Sequence, residues 1–378
     1  MAKQDTFKAL EQILGNAPTR TPSVRVLATV KSHHKCDFAQ LGLATSANYE
    51  TLLNGTPYEA PFGQDPQAFM RGRMFEDLVK GNDYAQFLRM LREQAGFPVA
   101  AARVVNLREG FPRTPVGMAA RARATNSLLG KIARHEPDAP NIIDGAILSI
   151  GIAGKVRYFE ADGLAAAADG RIFVAEIKSF PVADGQFDAE KMGAAEDQAA
   201  WYILVCRHAL KLLGLPTNIV SDIGYIILPK NTGLTPTLLK RDLAARTRNA
   251  QRLLEATPDV SKMAALGAGL RYPDPGATDP EERVIAIEKM MDAVGTAYEP
   301  SCLQDCGMSR LCRDRAHLAG LATACGTRVA AELPGVPNLR RAAELANGAP
   351  PAPEEMAIAE DLQIARAIFD RVGLLGVL

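Results

Sequence analysis

The segment FVAEIKSF, residues 173–180, sets a glutamate and a lysine two positions apart inside an otherwise apolar run. Phe173, Val174, Ile177 and Phe180 are β-branched or aromatic, Gly170 stands before them and Pro181 after, so the segment reads as a mostly buried strand. Side chains alternate along a strand, which puts Glu176 and Lys178 on one face. A buried charge without a partner is strongly unfavourable. That face therefore needs mutual pairing, a bound metal or a solvent cleft.

Asp162 lies 14 residues before Glu176, at the far end of the preceding β-like run. The turn between the two runs decides whether the two acids meet, because a slip of one residue reverses every side chain. A three-residue loop Ala168-Asp169-Gly170, with Gly170 left-handed, places Asp162 directly opposite Glu176. A two-residue Asp169-Gly170 turn separates them unless a bulge intervenes. The odd-numbered loop or a bulge is expected. Two carboxylates beside a lysine suit a hard divalent cation, and the lysine can orient or deprotonate an attacking water. Such a site fits in-line attack on a phosphodiester.

The flanking pattern is mixed. Residues 65–79 carry Phe69, Met70, Phe75, Leu78 and Val79 at helical spacing behind Asp65-Pro66, and a second helical pattern covers 84–95. FPVAAARVVNL reads as strand, 117–134 as helix, 141–180 as antiparallel hairpins, 192–214 as a long helix, 223–229 as strand, and 237–256 and 280–295 as helices. This order predicts an α/β fold, a mixed sheet flanked by helices with helical additions. The expected organisation is one domain over residues 1–326 and a helical appendage over 327–378.

Composition narrows the function classes. Lys+Arg and Asp+Glu both number 43, so no global basic field announces a polyanion partner and any nucleic-acid contact rests on a local patch. The charged N-terminal stretch lacks a signal-peptide apolar region and no run is long enough to span a membrane, so a cytoplasmic protein is expected. No GxxxxGK[ST] phosphate loop is present, hence no recognisable ATP motor. The six cysteines, at 36, 206, 302, 306, 312 and 325, read as reduced thiols or a metal site rather than a disulfide framework.

The arrangement of Asp162 with Glu176-Ile177-Lys178 resembles the PD-(D/E)XK nuclease superfamily. Downstream, Gln198 and Tyr202 in QAAWY resemble the Q-x-x-x-Y motif of its RecB-like branch, and their i, i+4 spacing puts both on one helix face. Upstream, Arg71 to Glu76 resembles the first motif, which opens with a glycine and ends in a metal-facing His or Glu; here Gly72 stands one turn before Glu76. Taken singly, a Glu-x-Lys pair or a polar helix edge is more often a solvated surface than a site. Their joint occurrence in order is what carries the resemblance. It implies a restriction-endonuclease-like sheet and Mg2+ or Mn2+ held by Asp162, Glu176 and the Ile177 carbonyl. Glu76 supports the metal, Lys178 positions the water, and Gln198 and Tyr202 orient the substrate. Arg71, Arg73, Lys191 and Arg207 are candidate phosphate contacts.

The cysteines fit the same resemblance. RecB-like nucleases of the AddB and CRISPR-associated types tie one cysteine before the core to three after it through a 4Fe-4S cluster. This chain has Cys36 upstream and Cys302-x3-Cys306-x5-Cys312 downstream, where the family usually shows C-x2-C-x5-C. Four thiolates suit the cluster. Structural zinc is the competing reading, with His33 or His34 able to replace a cysteine. Cys206, in the apolar run YILVC, reads as core packing, and Cys325 as a spare ligand.

The function implied is a metal-dependent DNase acting on single strands or duplex ends, in a setting such as DNA repair or phage defence. A separately encoded helicase or a recombination or defence protein is the expected partner. The alternative is an inactive nuclease fold that binds nucleic acid or a partner, and fold alone does not decide between them.

Overall fold

A computed structural model describes residues 3–20, 35–59, 66–97, 103–112, 114–231, 233–256, 259–336 and 338–371. Two compact units are built from interleaved segments: one from Met1–Arg20, Ser32–Phe62 and Ser261–Leu378, the other from Thr21–Lys31 and Gly63–Val260.

The second unit is the α/β part. Its strands are β1 (Val104–Asn106), β2 (Ile142–Ile152), β3 (Lys155–Ala166), β4 (Ile172–Ile177), β5 (Val182–Ala183), β6 (Gln186–Phe187), β7 (Ile223–Pro229) and β8 (Pro236–Asp242). Six form a mixed sheet in the order β1-β2-β3-β4-β7-β8, while β5 and β6 pair separately. The β2-β3-β4 meander is antiparallel as the hairpin reading expects, and β1 joins β2 and β7 joins β4 in parallel. Three helices matter to the site: Pro66–Glu93, Pro115–Ala133 and Ala189–Leu212, hereafter the motif helix, the middle helix and the long helix.

Alternation along the strands decides what each face carries. Phe173, Ala175 and Ile177 of β4 pack with Tyr225 and Ile227 of β7 against Phe75, Val79, Phe87 and Leu91 of the motif helix. Glu176 therefore points to the opposite face, on which the long helix packs across β2, β4 and β7. Within the motif helix, residues Gly81–Tyr84 leave helical geometry, with Asn82, Asp83 and Tyr84 at positive φ. That break separates the two helical patterns seen in the sequence.

One sequence expectation is corrected. Residues 236–242 form strand β8 rather than the start of a helix, and the helix begins only at Ala244. The adjacent Leu238 and Leu239 fit a helical stripe, but pairing with β7 buries Pro236 and Leu238 alternately. Cross-strand pairing overrides the local preference. Of the expected strand at 97–107, only Val104–Asn106 lies among the described residues as strand.

The first unit is helical among its described residues. It contains Lys3–Leu14, Asp37–Thr45, Tyr49–Leu52, Pro280–Val294, Cys302–Asp305 and Ser309–Leu318, followed by Thr327–Ala331, Leu339–Ala346 and Met356–Arg371. Phe38 stacks on Tyr49 and Tyr272 meets both edge-on, with ring centroids 5.1–6.2 Å apart, and the two tyrosine hydroxyls lie 2.9 Å apart. No helix among the described residues is long and apolar enough to cross a membrane.

Candidate active site and cysteine cluster

The turn between β3 and β4 settles the meeting of the two acids. Ala167 donates its N–H to the Arg171 carbonyl at 2.8 Å, leaving Ala168, Asp169 and Gly170 as a three-residue loop with Gly170 at φ 79°. A Cβ at Gly170 would also come within 2.5 Å of the His135 ring, so the position needs glycine twice over. The register runs Ala166 to Ile172 through Gly163 to Ala175, which puts Asp162 opposite Glu176 at the next step. There the backbone ladder gives way to a side chain: Asp162 Oδ2 accepts the Ile177 N–H at 3.0 Å.

Glu176 is fully buried, and neither carboxylate oxygen accepts a hydrogen bond of good geometry. The Lys178 ammonium stands 2.5 Å from Oε1, an ion pair by distance. Burial first, then the charge of Asp162, push the Glu176 carboxyl up to about 8 against the opposing effect of Lys178. For Lys178 burial acts downward, but the carboxylates of Glu176 and Asp162 more than offset it and hold the ammonium charged. Lys178 Nζ also donates to Gln198 Oε1 at 3.0 Å, Gln198 Nε2 donates to the Tyr202 hydroxyl at 2.8 Å, and that hydroxyl donates to the Glu160 carbonyl at 2.7 Å. The i, i+4 pair on the long helix thus locks the lysine to the middle of β3.

Glu76 reaches the same region from the motif helix. Its Oε1 accepts from Lys80 Nζ at 2.6 Å and from Arg108 Nη1 at 2.5 Å. Burial raises the Glu76 pKa, yet Lys80 and Arg108 outweigh it, and the net shift is downward. Gly72 leaves open space one turn earlier: a Cβ there would have only Ser179 Oγ nearby, at 3.9 Å.

The structure adds residues that sequence reading did not single out. Lys80 Nζ donates to Asp144 Oδ1 at 2.6 Å and to the Asp162 carbonyl at 2.8 Å, and Tyr84 donates its hydroxyl to Asp144 Oδ2 at 2.6 Å. Arg108 donates through Nε to Glu160 at 2.7 Å, and Arg121 of the middle helix lies 3.1 Å from the same carboxylate. Two sequence signals were there to be read. Lys80 follows Glu76 by one helical turn, and Asp144 interrupts the apolar run IIDGAIL.

Of the proposed phosphate contacts, Arg71 and Arg73 are exposed on the motif helix. Lys191 is exposed at the start of the long helix and pairs with the cap residue Asp188 at 3.3 Å. Arg207 is committed to the Val220 carbonyl at 2.7 Å and to Asp222 at 3.0 Å, where it braces the long helix to the strand that follows.

Among the described residues, no group of three or more His, Cys, Asp or Glu side chains converges closely enough to hold a metal ion as placed. At the acidic site the donor types nevertheless fit a hard cation. The β3–β4 register, carried one step past Gly163 and Ala175, sets Asp162 opposite Glu176, and Lys178 stands 2.5 Å from Glu176 Oε1.

All four cysteines of the expected clasp fall in the first unit. Cys36 and Cys302 are buried, Cys306 and Cys312 half-buried, and Cys302, Cys306 and Cys312 pack with Tyr298, Ala316 and Ala324. Burial pushes the Cys302 thiol up to about 11, with Cys36 adding to the rise, while the Glu299 N–H donates to its sulfur at 3.5 Å. Cys312 is raised by burial, then by Cys306, Cys36 and Cys302. Burial and neighbouring cysteines thus both favour the neutral thiol at Cys302 and Cys312. His33 and His34 lie outside the described residues. Cys206 is wholly buried in the long helix, as core packing requires, and Cys325 is exposed.

No family model matches the chain, and no curated protein matches it. Among solved structures, one described as the crystal structure of SSO0001 is 15% identical, with 49% of this chain and 87% of that one covered, at a TM-score of 0.18, a likeness too low to carry an argument.

Proposed function

We propose that the α/β unit is a divalent-metal-dependent deoxyribonuclease that hydrolyses phosphodiester bonds in single strands or at duplex ends. The observation that carries this reading is the fully buried Glu176 carboxylate, set opposite Asp162 and paired with Lys178. A purely structural ion pair has no use for a second carboxylate that disfavours ionisation of the first. A catalytic cation site does.

Asp162, Glu176 and the Ile177 carbonyl would hold Mg2+ or Mn2+, which supplies charge neutralisation and an acidified water for attack on phosphorus. Asp162 is oriented through its Oδ2 by the Ile177 N–H. Lys178, anchored on Gln198 and kept charged by its acidic neighbours, acts as a hydrogen-bond donor that positions the attacking water. Tyr202 fixes Gln198 through the Glu160 carbonyl and so aims the lysine. Glu76, ionised by Lys80 and Arg108, adds negative charge that favours cation entry.

We propose in addition that Cys36, Cys302, Cys306 and Cys312 hold a structural 4Fe-4S cluster, with zinc as the competitor. The burial of Cys36 and Cys302 and the packing of Cys302, Cys306 and Cys312 in one small core support a bound cation. Iron, zinc and acid-labile sulfide analysis of protein purified without air separates the two.

The test of the nuclease is cleavage of end-labelled single- and double-stranded DNA with Mg2+ or Mn2+, using wild type, Lys178→Met and an EDTA control. Metal-dependent cutting that disappears in the variant is expected. A folded, metal-supplied wild type that cuts nothing would overturn the reading in favour of a nucleic-acid-binding or partner-binding module, whether the partner is a helicase or a recombination or defence protein.

A further inference from the structure

Resting on the nuclease reading, we propose that Arg108 is a phosphate-binding residue that fills the acidic cleft in the metal-free protein and exchanges its carboxylates for the phosphodiester when the cation enters. Sequence reading gave Arg108 no role, since it sits just past β1 in no motif.

Its guanidinium contacts more of the site's acids than any single lysine does. Nη1 meets Glu76 at 2.5 Å, Nε meets Glu160 at 2.7 Å and lies 3.9 Å from Asp144, and Nη2 lies 4.0 Å from Asp162. Four carboxylates thus surround one permanently charged fork. The backbone makes room for it. Gly145, opposite Asp162 in the β2–β3 register, adopts φ 61°, and a Cβ there would fall 2.2 Å from Arg121 and 2.5 Å from Arg108. The absence of a side chain at 145 is what leaves room for both arginines, Arg121 against Glu160 and Arg108 among the acids.

The two groups differ in freedom. Arg121 is 6% exposed on its side chain and Arg108 29%, so Arg108 alone of the pair has a path to solvent. A divalent cation near Asp162 repels a guanidinium 4.0 Å from that carboxylate. Arg108 then offers a planar donor fork beside Glu76, Glu160 and Asp162, and a phosphodiester suits it.

The exchange requires Arg108 to oppose metal binding and to favour DNA binding. Mn2+ alone is titrated calorimetrically into wild type, Arg108→Gln, Arg108→Lys and Glu176→Gln. A labelled single-stranded oligonucleotide is then titrated in Ca2+ over a series of salt concentrations. Expected for Arg108→Gln is Mn2+ affinity raised about fivefold or more, the scale of an ordinary coupling, with DNA affinity lowered and the salt slope reduced by about one. Arg108→Lys keeps the charge and should stay near wild type for Mn2+ while binding DNA less well, which controls for any folding defect in the glutamine variant. Unchanged or weaker Mn2+ binding in Arg108→Gln, or an unchanged DNA salt slope, overturns the exchange. Wild type that binds no Mn2+, or binds it no better than Glu176→Gln does, instead overturns the nuclease reading on which the exchange rests.

Discussion

The acidic site and the four cysteines Cys36, Cys302, Cys306 and Cys312 both hold buried acids away from their charged form, and they differ in what stands against that. At the acidic site the protein supplies its own counter-charges: Lys178, Lys80, Arg108 and Arg121 all stand within 3.1 Å of a carboxylate. Its geometry is set by strand register, a property of the sheet. At the cysteines, Arg315 opposes the rise at Cys312 without reversing it. The thiols come from short helices and from Cys36 far away in sequence, and each of Cys302 and Cys312 is pushed toward the neutral form by burial and its neighbours. On the proposed reading, the first arrangement should lose only activity without metal, and the second should need a metal to stay folded.

The largest expected effect attacks the acidic site chemically. Lys178→Met should lower the cleavage rate by about 10²- to 10⁴-fold, the range for losing a positioned proton-handling group, while the thermal midpoint changes little. A parallel collapse of the midpoint would mean that the lysine is structural and the contrast wrong. Cys302→Ser should do the opposite. Iron or zinc content falls, the helical unit unfolds at a lower temperature, and the α/β unit keeps its own transition, read by calorimetry as two separated peaks. One unshifted peak would remove the case for a structural metal.

Much of this contrast could be read from the sequence, because its elements are local. The loop Ala168-Asp169-Gly170 fixed the β3–β4 register through one glycine, and a fixed register brings Asp162 to Glu176 without further information. Gln198 and Tyr202 were legible for the same reason, as helix spacing alone makes them neighbours. Lys80, Asp144, Arg108 and Glu160 were not, since they converge from a helix, β2, the end of β1 and β3 with no spacing to link them. Strand β8 was misread because its partner β7, not its own pattern, decides its conformation. Arg207 was read as a candidate phosphate contact, and its partners Val220 and Asp222 lie across a turn no periodicity foretells.

A medium-sized effect sharpens the statement that the acidic site is neutralised internally only in part. Burial and Asp162 raise the Glu176 carboxyl to about 8. The folded protein therefore prefers the neutral acid, and the stability this group lends is complete below its ordinary pKa near 4.5 and drains away as pH rises to about 8. With EDTA present, wild type should lose stability relative to Glu176→Gln by roughly 1.4 kcal/mol per pH unit at most inside that window. Urea midpoints of both proteins at several pH values measure it, and a pH-independent difference contradicts the raised pKa. Added Mg2+ should close the gap at the alkaline end, where the ionised acid gains a cation.

The smallest effect separates cations that the site uses from cations that merely decorate it. Lys191 is exposed and pairs only loosely with Asp188, at 3.3 Å and with side chains 62% and 44% exposed, so Lys191→Ala should leave the thermal midpoint unmoved. If it touches the nucleic-acid backbone, affinity for a single strand falls modestly and equally for all sequences, and the salt slope drops by about one. Arg207→Ala makes the opposite prediction, because its guanidinium holds the Val220 carbonyl and Asp222. The midpoint falls and the salt slope stays put. Equal behaviour of the two variants would show that side-chain commitment, as seen in the structure, does not sort the basic residues of this unit, and the assignment of Arg108 to the site would lose its comparison group.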